Sequence, residues 1–198
     1  MNGIDFEKTM PVVDEISRTY DNDPIHSERV ATLALELFDA LTPLHKYGPR
    51  ERRLLEIASR MHDIKKSKTA SKNHHKLSGI MILNLDIPGF NGTDKVATAL
   101  VARYHTKALP NAVKHPRFAA LDMKKRNLVE WLAGILRVAD ALDSSHAGVI
   151  SRLNLQIDDS FVTVHLQTEG SCWNQIKRAR RKGDLLVKKS GRSLLYQY

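Results

Sequence analysis

Cysteine is almost absent from this chain: Cys172 is the single one in 198 residues. An internal disulfide is excluded, and such usage fits a reducing compartment. A chain of this length buries about 70% of its unfolded surface and needs no such staple. Long apolar runs are missing too. No stretch approaches the roughly 18 apolar residues of a membrane span. Residues 1–10 carry Asp5 and Glu7 where a signal peptide would be apolar. The expected location is cytoplasmic, with no membrane partner. Aromatic residues make up only 6%, yet apolar residues reach 42% and charged residues 27%, a globular mix that excludes disorder as the main state. There is no Gly-x-x-x-x-Gly-Lys-Ser/Thr loop and no Gly-x-Gly-x-x-Gly after a strand, so nothing supports a P-loop or dinucleotide site. Internal repeats are also lacking.

Acidic residues are the minority charge. The 31 Lys and Arg against 22 Asp and Glu leave a net +9. Residues 171–198 hold much of the excess: Lys177, Arg178, Arg180, Arg181, Lys182, Lys188, Lys189 and Arg192 stand against Asp184 alone, a net +7. Such a cluster attracts polyanions, whether nucleic acid, polyphosphate, nucleotides or an acidic partner. Trp173, Tyr196 and Tyr198 beside it are candidates to stack on bases. The segment contains no histidine and no paired carboxylate, so it is expected to sit apart from any metal ligands.

Residues 4–146 read as helices between turn signals. A first helix is predicted from near Pro11 to residue 20. A second runs over 25–41, with Asp23 as cap, Pro24 in the first turn and Val30, Leu33, Leu37 and Leu41 at helical spacing; Pro43 ends it. A third covers 50–64 with Leu54, Leu55, Ala58 and Met61 on one face. Residues 67–73 form a polar loop, a fourth helix spans 75–85, and 87–92 turn. Thr93 or Asp94 caps a fifth helix ending near 104, and a sixth covers 118–142 with a break near Gly134. After Gly148 the periodicity changes. Leu153, Leu155 and Ile157 alternate with polar residues, Asp158-Asp159-Ser160 turns, and Val162, Val164 and Leu166 alternate again, a hairpin signal. Residues 172–182 suit a basic helix, and 185–187 and 193–198 further short strands. The expected class is mainly α: a helical bundle over 1–148 and a small basic α+β subdomain over 149–198.

Placement distinguishes the nine histidines more than their number. His62-Asp63 is an adjacent pair at the end of the third helix. His26 begins the second helix, His74 and His75 begin the fourth, and His105 ends the fifth. Asp140 lies on the sixth among Ile135, Leu136, Val138, Ala139 and Leu142, where a carboxylate is costly unless paired or bound to a cation. The chain order is His, then His-Asp, then His, then His, then Asp, each on its own helix. Mixed imidazole and carboxylate ligands suit Mn, Fe, Co, Ni or Zn, with Mg a poorer fit, and facing helices that converge on a core ion are a known way to build such sites.

With these stretches in view the sequence resembles the HD-domain metal-dependent phosphohydrolases. It is most similar to the C-terminal helical region of the exopolyphosphatase / guanosine pentaphosphate phosphohydrolase family. The resemblance rests on His26-Ser27-Glu28-Arg29-Val30-Ala31, Met61-His62-Asp63-Ile64, His74-His75-Lys76-Leu77-Ser78 and residues 83–90 with Ile87-Pro88-Gly89-Phe90. It rests further on residues 100–107 with Arg103-Tyr104-His105, and on residues 136–143. It covers roughly residues 20–170. Two departures stand out. These residues contain no counterpart of the family's actin-like ATPase portion, so exopolyphosphatase activity is not implied. HD enzymes often read His-Asp-Ile-Gly-Lys, whereas this chain reads His62-Asp63-Ile64-Lys65-Lys66.

The resemblance implies a hydrolase for a phosphorylated small molecule or nucleotide, with one or two divalent metal ions activating water. By position, His26, His62, Asp63 and Asp140 would hold a first ion. His75 (or His74) and His105 would serve a second ion or the substrate phosphate. Asp63, Lys66, His105 and Arg137 are the candidate catalytic residues, and Arg103 and Lys107 further phosphate contacts. The alternative is a non-catalytic regulatory module binding polyphosphate, a guanosine polyphosphate or RNA.

Overall fold

A computed structural model describes residues 6–64, 74–86, 90, 92–106 and 108–198, with His74 described in its backbone only. The expected loop at 67–73 and most of the turn at 87–92 lie outside the described residues, as do Lys65, Lys66 and Lys107. Among the described residues the chain forms α1 (Phe6–Tyr20), α2 (Pro24–His45), α3 (Pro49–Arg60), α4 (His74–Asn84), α5 (Gly92–Arg103), α6 (Pro116–Ala119) and α7 (Met123–Leu142). The strands β1 (Ile150–Ile157) and β2 (Phe161–Thr168) follow, then α8 (Trp173–Lys182), α9 (Asp184–Ser190) and β3 (Ser193–Gln197). The architecture is mainly α with a small α+β part at the C-terminal end, as the sequence predicts. No described helix is long and apolar enough to cross a membrane.

α7 is the hub. It packs against α2, α5, α8 and α9, while α3 packs against α1, α2 and α5. The stripe Val30, Leu33, Leu37 and Leu41 of α2 is fully buried with Leu132, Ile135, Leu136 and Ala139 of α7 in one core. That core continues through Val162, Val164, Ile176 and Leu186. β1 and β2 pair antiparallel, with Leu155 opposite Val164, and β3 lies parallel to β2 after the α8–α9 crossover. A bulge between Ile150 and Arg152 shifts the side-chain alternation, so Ile150 and Leu153 are both buried.

Several boundaries differ from the predicted ones. Pro11 and Pro43 lie inside α1 and α2 instead of bounding them. Thr9 and Val13 are buried on either side of Pro11. Beyond Pro43, buried His45 reaches the Phe38 carbonyl through Nε2 at 2.9 Å and draws the chain on to Lys46, which closes the helix at φ 61°. The long helix predicted over 118–142 breaks at 120–122, not at Gly134. Asp122 starts α7 by accepting the Lys125 N–H at 2.7 Å. Gly134 serves close packing: a Cβ there would stand 3.1 Å from the Leu186 backbone nitrogen of α9. Residues 185–187 form helix, not strand. Adjacent Leu185 and Leu186 are both buried, which α9 achieves against α7 and an alternating strand would not.

Candidate metal centre

Helix ends converge on one buried point. His26 sits in the first turn of α2, where Asp23 caps by accepting the His26 N–H at 3.1 Å. α3 stops at Arg60 and the chain turns over 61–64, so His62 and Asp63 escape the roughly 100° divergence of neighbours on a helix. His105 occupies the corresponding turn after α5. Asp140 lies in the last turn of α7, and Asp143 is its C-cap.

The same local device orients two of the rings. His62 Nδ1 lies 2.6 Å from the Ser59 carbonyl, and His105 Nδ1 lies 2.6 Å from the Ala102 carbonyl. A carbonyl only accepts, so each Nδ1 carries the hydrogen and donates it to an oxygen of its own helix end. Nε2 of each ring is thereby turned into the cluster. His26 is oriented from outside the helix: its Nδ1 meets Asp143 Oδ2 at 2.8 Å, and Asp143 is itself held by the Gly148 N–H at 3.1 Å. His146 stacks on His26 at 3.9 Å between ring centroids and is fixed by Asp23 at 2.7 Å.

The inward atoms are close. His26 Nε2 and His62 Nε2 lie 3.5 and 3.8 Å from Asp140 Oδ1. Asp63 places Oδ2 3.9 Å from His62 Nε2 and Oδ1 3.5 Å from His105 Nε2. Two groups of potential ligand atoms, His26/His62/Asp140 and His62/Asp63/His105, each fall within 4.8 Å and share His62. These residues are nearly inaccessible, with Asp140 the most exposed of them at 14%.

The electrostatics fit a cation. Burial works to lower the His26 pKa, but hydrogen bonds to Asp140 and Asp143 raise it to about 9. Burial likewise opposes charge on His62, and Asp63 and Asp140 overcome it, raising its pKa. His105, pushed down to about 3 by burial and by neighbouring His62, is neutral. Burial acts to raise the Asp140 pKa, while Lys182, His26 and His62 hold it well below the ordinary carboxylate value. His62 Nε2 is buried and has no hydrogen-bond partner among the described residues. A buried ring nitrogen surrounded at 3.8–3.9 Å by carboxylate oxygens, too far for a hydrogen bond, suits a shared divalent ion.

The family model for Ppx/GppA phosphatase, domain III, matches residues 10–181. The chain belongs to this family. The match starts within α1 and ends at the penultimate residue of α8. No curated protein matches the chain. Membership in the Ppx/GppA phosphatase family supports phosphohydrolase-related function at the level of the family.

In this Ppx/GppA domain, five of the residues expected at the metal come together: His26, His62, Asp63, His105 and Asp140. His105 joins His62 and Asp63 instead of forming a separate group with His75. His75 is buried at the start of α4 and belongs to neither ligand group, and the His74 side chain and Lys66 lie outside the described residues. Arg103 ends α5, where its Nε is buried without a hydrogen-bond partner among the described residues. Arg137, expected to face phosphate, directs its guanidinium to protein oxygens. Nε donates to Lys182 O at 3.0 Å, Nη1 to Tyr104 O at 3.2 Å and to Thr106 O, and Nη2 to Asp184 at 2.9 Å.

The C-terminal segment does not sit apart from the ligands. Lys182 Nζ ion-pairs with Asp140 Oδ2 and lies 3.4 Å from the His105 carbonyl. Tyr196 is 8% exposed and unavailable for stacking, while Trp173 is 54% exposed beside Arg180 at 5.8 Å. Sequence reasoning missed Asp143, His146 and Lys182. Asp143 had a signal, since it lies three residues after Asp140 and shares its helix face. Lys182 had none, being one of eight basic residues in its segment.

Proposed function

We propose that this Ppx/GppA-family domain is an HD-type metal-dependent phosphohydrolase acting on a phosphorylated small molecule or nucleotide. The observation that carries this reading is the buried His62 Nε2, without a hydrogen-bond partner among the described residues and flanked by the carboxylates of Asp63 and Asp140, at the junction of two ligand groups. His26, His62, Asp63, His105 and Asp140 would hold the ion. His62 offers one ligating atom, because its Nδ1 is engaged by Ser59 O, so it serves one ion at a time and the two overlapping groups cannot both be filled through it. Imidazole-rich ligation favours Mn, Fe, Co, Ni or Zn over Mg. When bound, such an ion supplies Lewis-acid polarisation of phosphoryl oxygen and makes water nucleophilic near neutral pH. The chain's own contribution is orientation. Ser59 O and Ala102 O fix two rings, Asp143 fixes a third, and burial keeps His105 neutral and able to ligate.

In this reading residues 1–148 form the helical metal-binding portion and 149–198 the basic subdomain that covers one side of it. A cytoplasmic setting accords with the lone Cys172, whose buried thiol is pushed up in pKa by that burial. The experiment is phosphate release from a panel of phosphomonoesters, phosphodiesters and nucleotides with Mn, Co, Fe, Ni or Zn present, then with chelator. Chelator-sensitive turnover supports the reading, and no cleavage across the panel overturns it.

A second reading, polyanion binding without catalysis, has one observation in its favour. A cleft of about 660 Å³ is lined by Lys177, Arg178 and Arg181 together with Ser144, Ser171 and Asn174. Salt-dependent RNA or polyphosphate binding that is lost in an Arg178→Ala/Arg181→Ala variant, in a protein without turnover, would favour it.

A further inference from the structure

We propose that Lys182 is a phosphate-binding residue of this site, supplied to the ligand cluster by the C-terminal segment. The inference rests on the phosphohydrolase reading and adds a contact that the family match, ending at residue 181, does not include.

The ammonium is held at the cluster by construction. α8 ends at Lys182, and its carbonyl accepts the Arg137 Nε–H at 3.0 Å. Arg137 in turn binds the carbonyls of Tyr104 and Thr106, the residues flanking His105. One buried guanidinium therefore ties the end of α8 to the turn that carries a proposed metal ligand. Gly183 lets the chain turn tightly into α9, since a Cβ there would meet Leu194 Cδ1 at 2.7 Å and Ala179 O at 3.0 Å. The backbone at Lys182 is thus fixed from both sides, and its side chain extends to Asp140.

Asp140 is shared by its two oxygens. Oδ1 faces His26 Nε2 and His62 Nε2, and Oδ2 holds Lys182 Nζ. The ammonium sits at the carboxylate oxygen other than the one facing His26 and His62, and beside the His105 carbonyl at 3.4 Å. Side-chain exposure rises outward along this line, from 0% at His62 through 14% at Asp140 to 20% at Lys182. A phosphate approaching along it meets the ammonium first and the ligand cluster second. An ammonium has three donors, so Lys182 keeps Asp140 and the His105 carbonyl and still has a third for a phosphoryl oxygen. Arg137 is less suited to this role, because four of its five N–H donors go to protein oxygens and the residue is only 4% exposed.

The test uses inorganic phosphate as the probe and calorimetry as the readout, on the full chain loaded with Mn²⁺ or Co²⁺. Lys182→Met should retain the ion and bind phosphate about 10- to 100-fold more weakly, the range of one lost charge-assisted hydrogen bond. Lys182→Arg should recover most of the affinity, and it keeps the test alive should the Met variant fold poorly. Lys188→Met removes the same charge from an exposed position of α9 and should change binding less than about 2-fold at 0.15 M salt. Unchanged phosphate affinity in folded, metal-loaded Lys182→Met overturns the proposal, as does an equal loss in Lys188→Met. Wild-type protein that binds no metal at all overturns the phosphohydrolase reading instead, and is recognised before any phosphate is added.

Discussion

Replacing Asp143 by Asn perturbs the support of the cluster without emptying it. The native carboxylate is 1% exposed; Oδ2 accepts from His26 Nδ1 at 2.8 Å and Oδ1 accepts the Gly148 N–H at 3.1 Å. Asn preserves the volume but has a single acceptor oxygen. With that oxygen kept on Gly148, the amide NH₂ faces His26 Nδ1, and the ring must carry its hydrogen on Nε2, the atom turned towards Asp140. With the oxygen turned to His26, the Gly148 N–H loses its partner. Loss of a supporting carboxylate of this kind lowers metal affinity about 10- to 100-fold, or about 1.4–2.7 kcal/mol. Exchanging a charged for a neutral hydrogen bond should remove about 1 kcal/mol of folding stability in addition. Competition against a chromophoric chelator reads the affinity, and circular dichroism reads the fold. A folded Asp143→Asn protein that binds Mn²⁺ or Co²⁺ as tightly as wild type refutes the argument that Asp143 sets the His26 ring.

Three further outcomes follow from the packing. His45 donates from Nε2 to Phe38 O and accepts the Tyr47 N–H on Nδ1, so its neutral form is built in, and burial lowers its pKa below 6.5. Its contribution to stability is complete above pH 6.5 and is lost as pH falls through the folded value, so urea unfolding of His45→Gln should depend less on pH below 6.5 than wild type does. Gly134→Ala gains about 1 kcal/mol of helix propensity but loses about 1–3 kcal/mol by overpacking against Leu186, so thermal unfolding should show net destabilisation, and a raised Tm would contradict the close approach. Arg137→Met strands the carbonyls of Tyr104, Thr106 and Lys182 and should cost about 3 kcal/mol in urea unfolding; a loss below about 1 kcal/mol would deny Arg137 its anchoring role.

The clustering of His26, His62, Asp63, His105 and Asp140 is legible because each member stands in a local pattern. His26 follows a cap, His62-Asp63 closes an apolar helix, His105 closes another, and Asp140 is conspicuous among apolar neighbours. The hairpin was legible from alternation and from Asp158-Asp159-Ser160. Legibility failed where the deciding contact is long-range. Gly134 reads as a break until α9 is seen against it, and 185–187 read as strand because three apolar-leaning residues carry too little periodicity. Pro43 reads as a stop until His45, two residues on, is seen bonded back to the Phe38 carbonyl. Lys182 reaches Asp140 across 42 positions of sequence, which no local pattern encodes. The ring tautomers of His62 and His105 depend on carbonyls three residues back, a geometry that exists only once their helices end where they do.

The central claim is that His62 Nε2 ligates a divalent ion together with His26, Asp63, His105 and Asp140. Calorimetric titration of wild type and His62→Ala with Co²⁺ or Mn²⁺, both proteins shown to be folded by circular dichroism, addresses it directly. The account predicts saturable binding of about one ion per chain by wild type and none by the variant, which lacks the ligand common to both groups. Equal stoichiometry and affinity in the two proteins would contradict it.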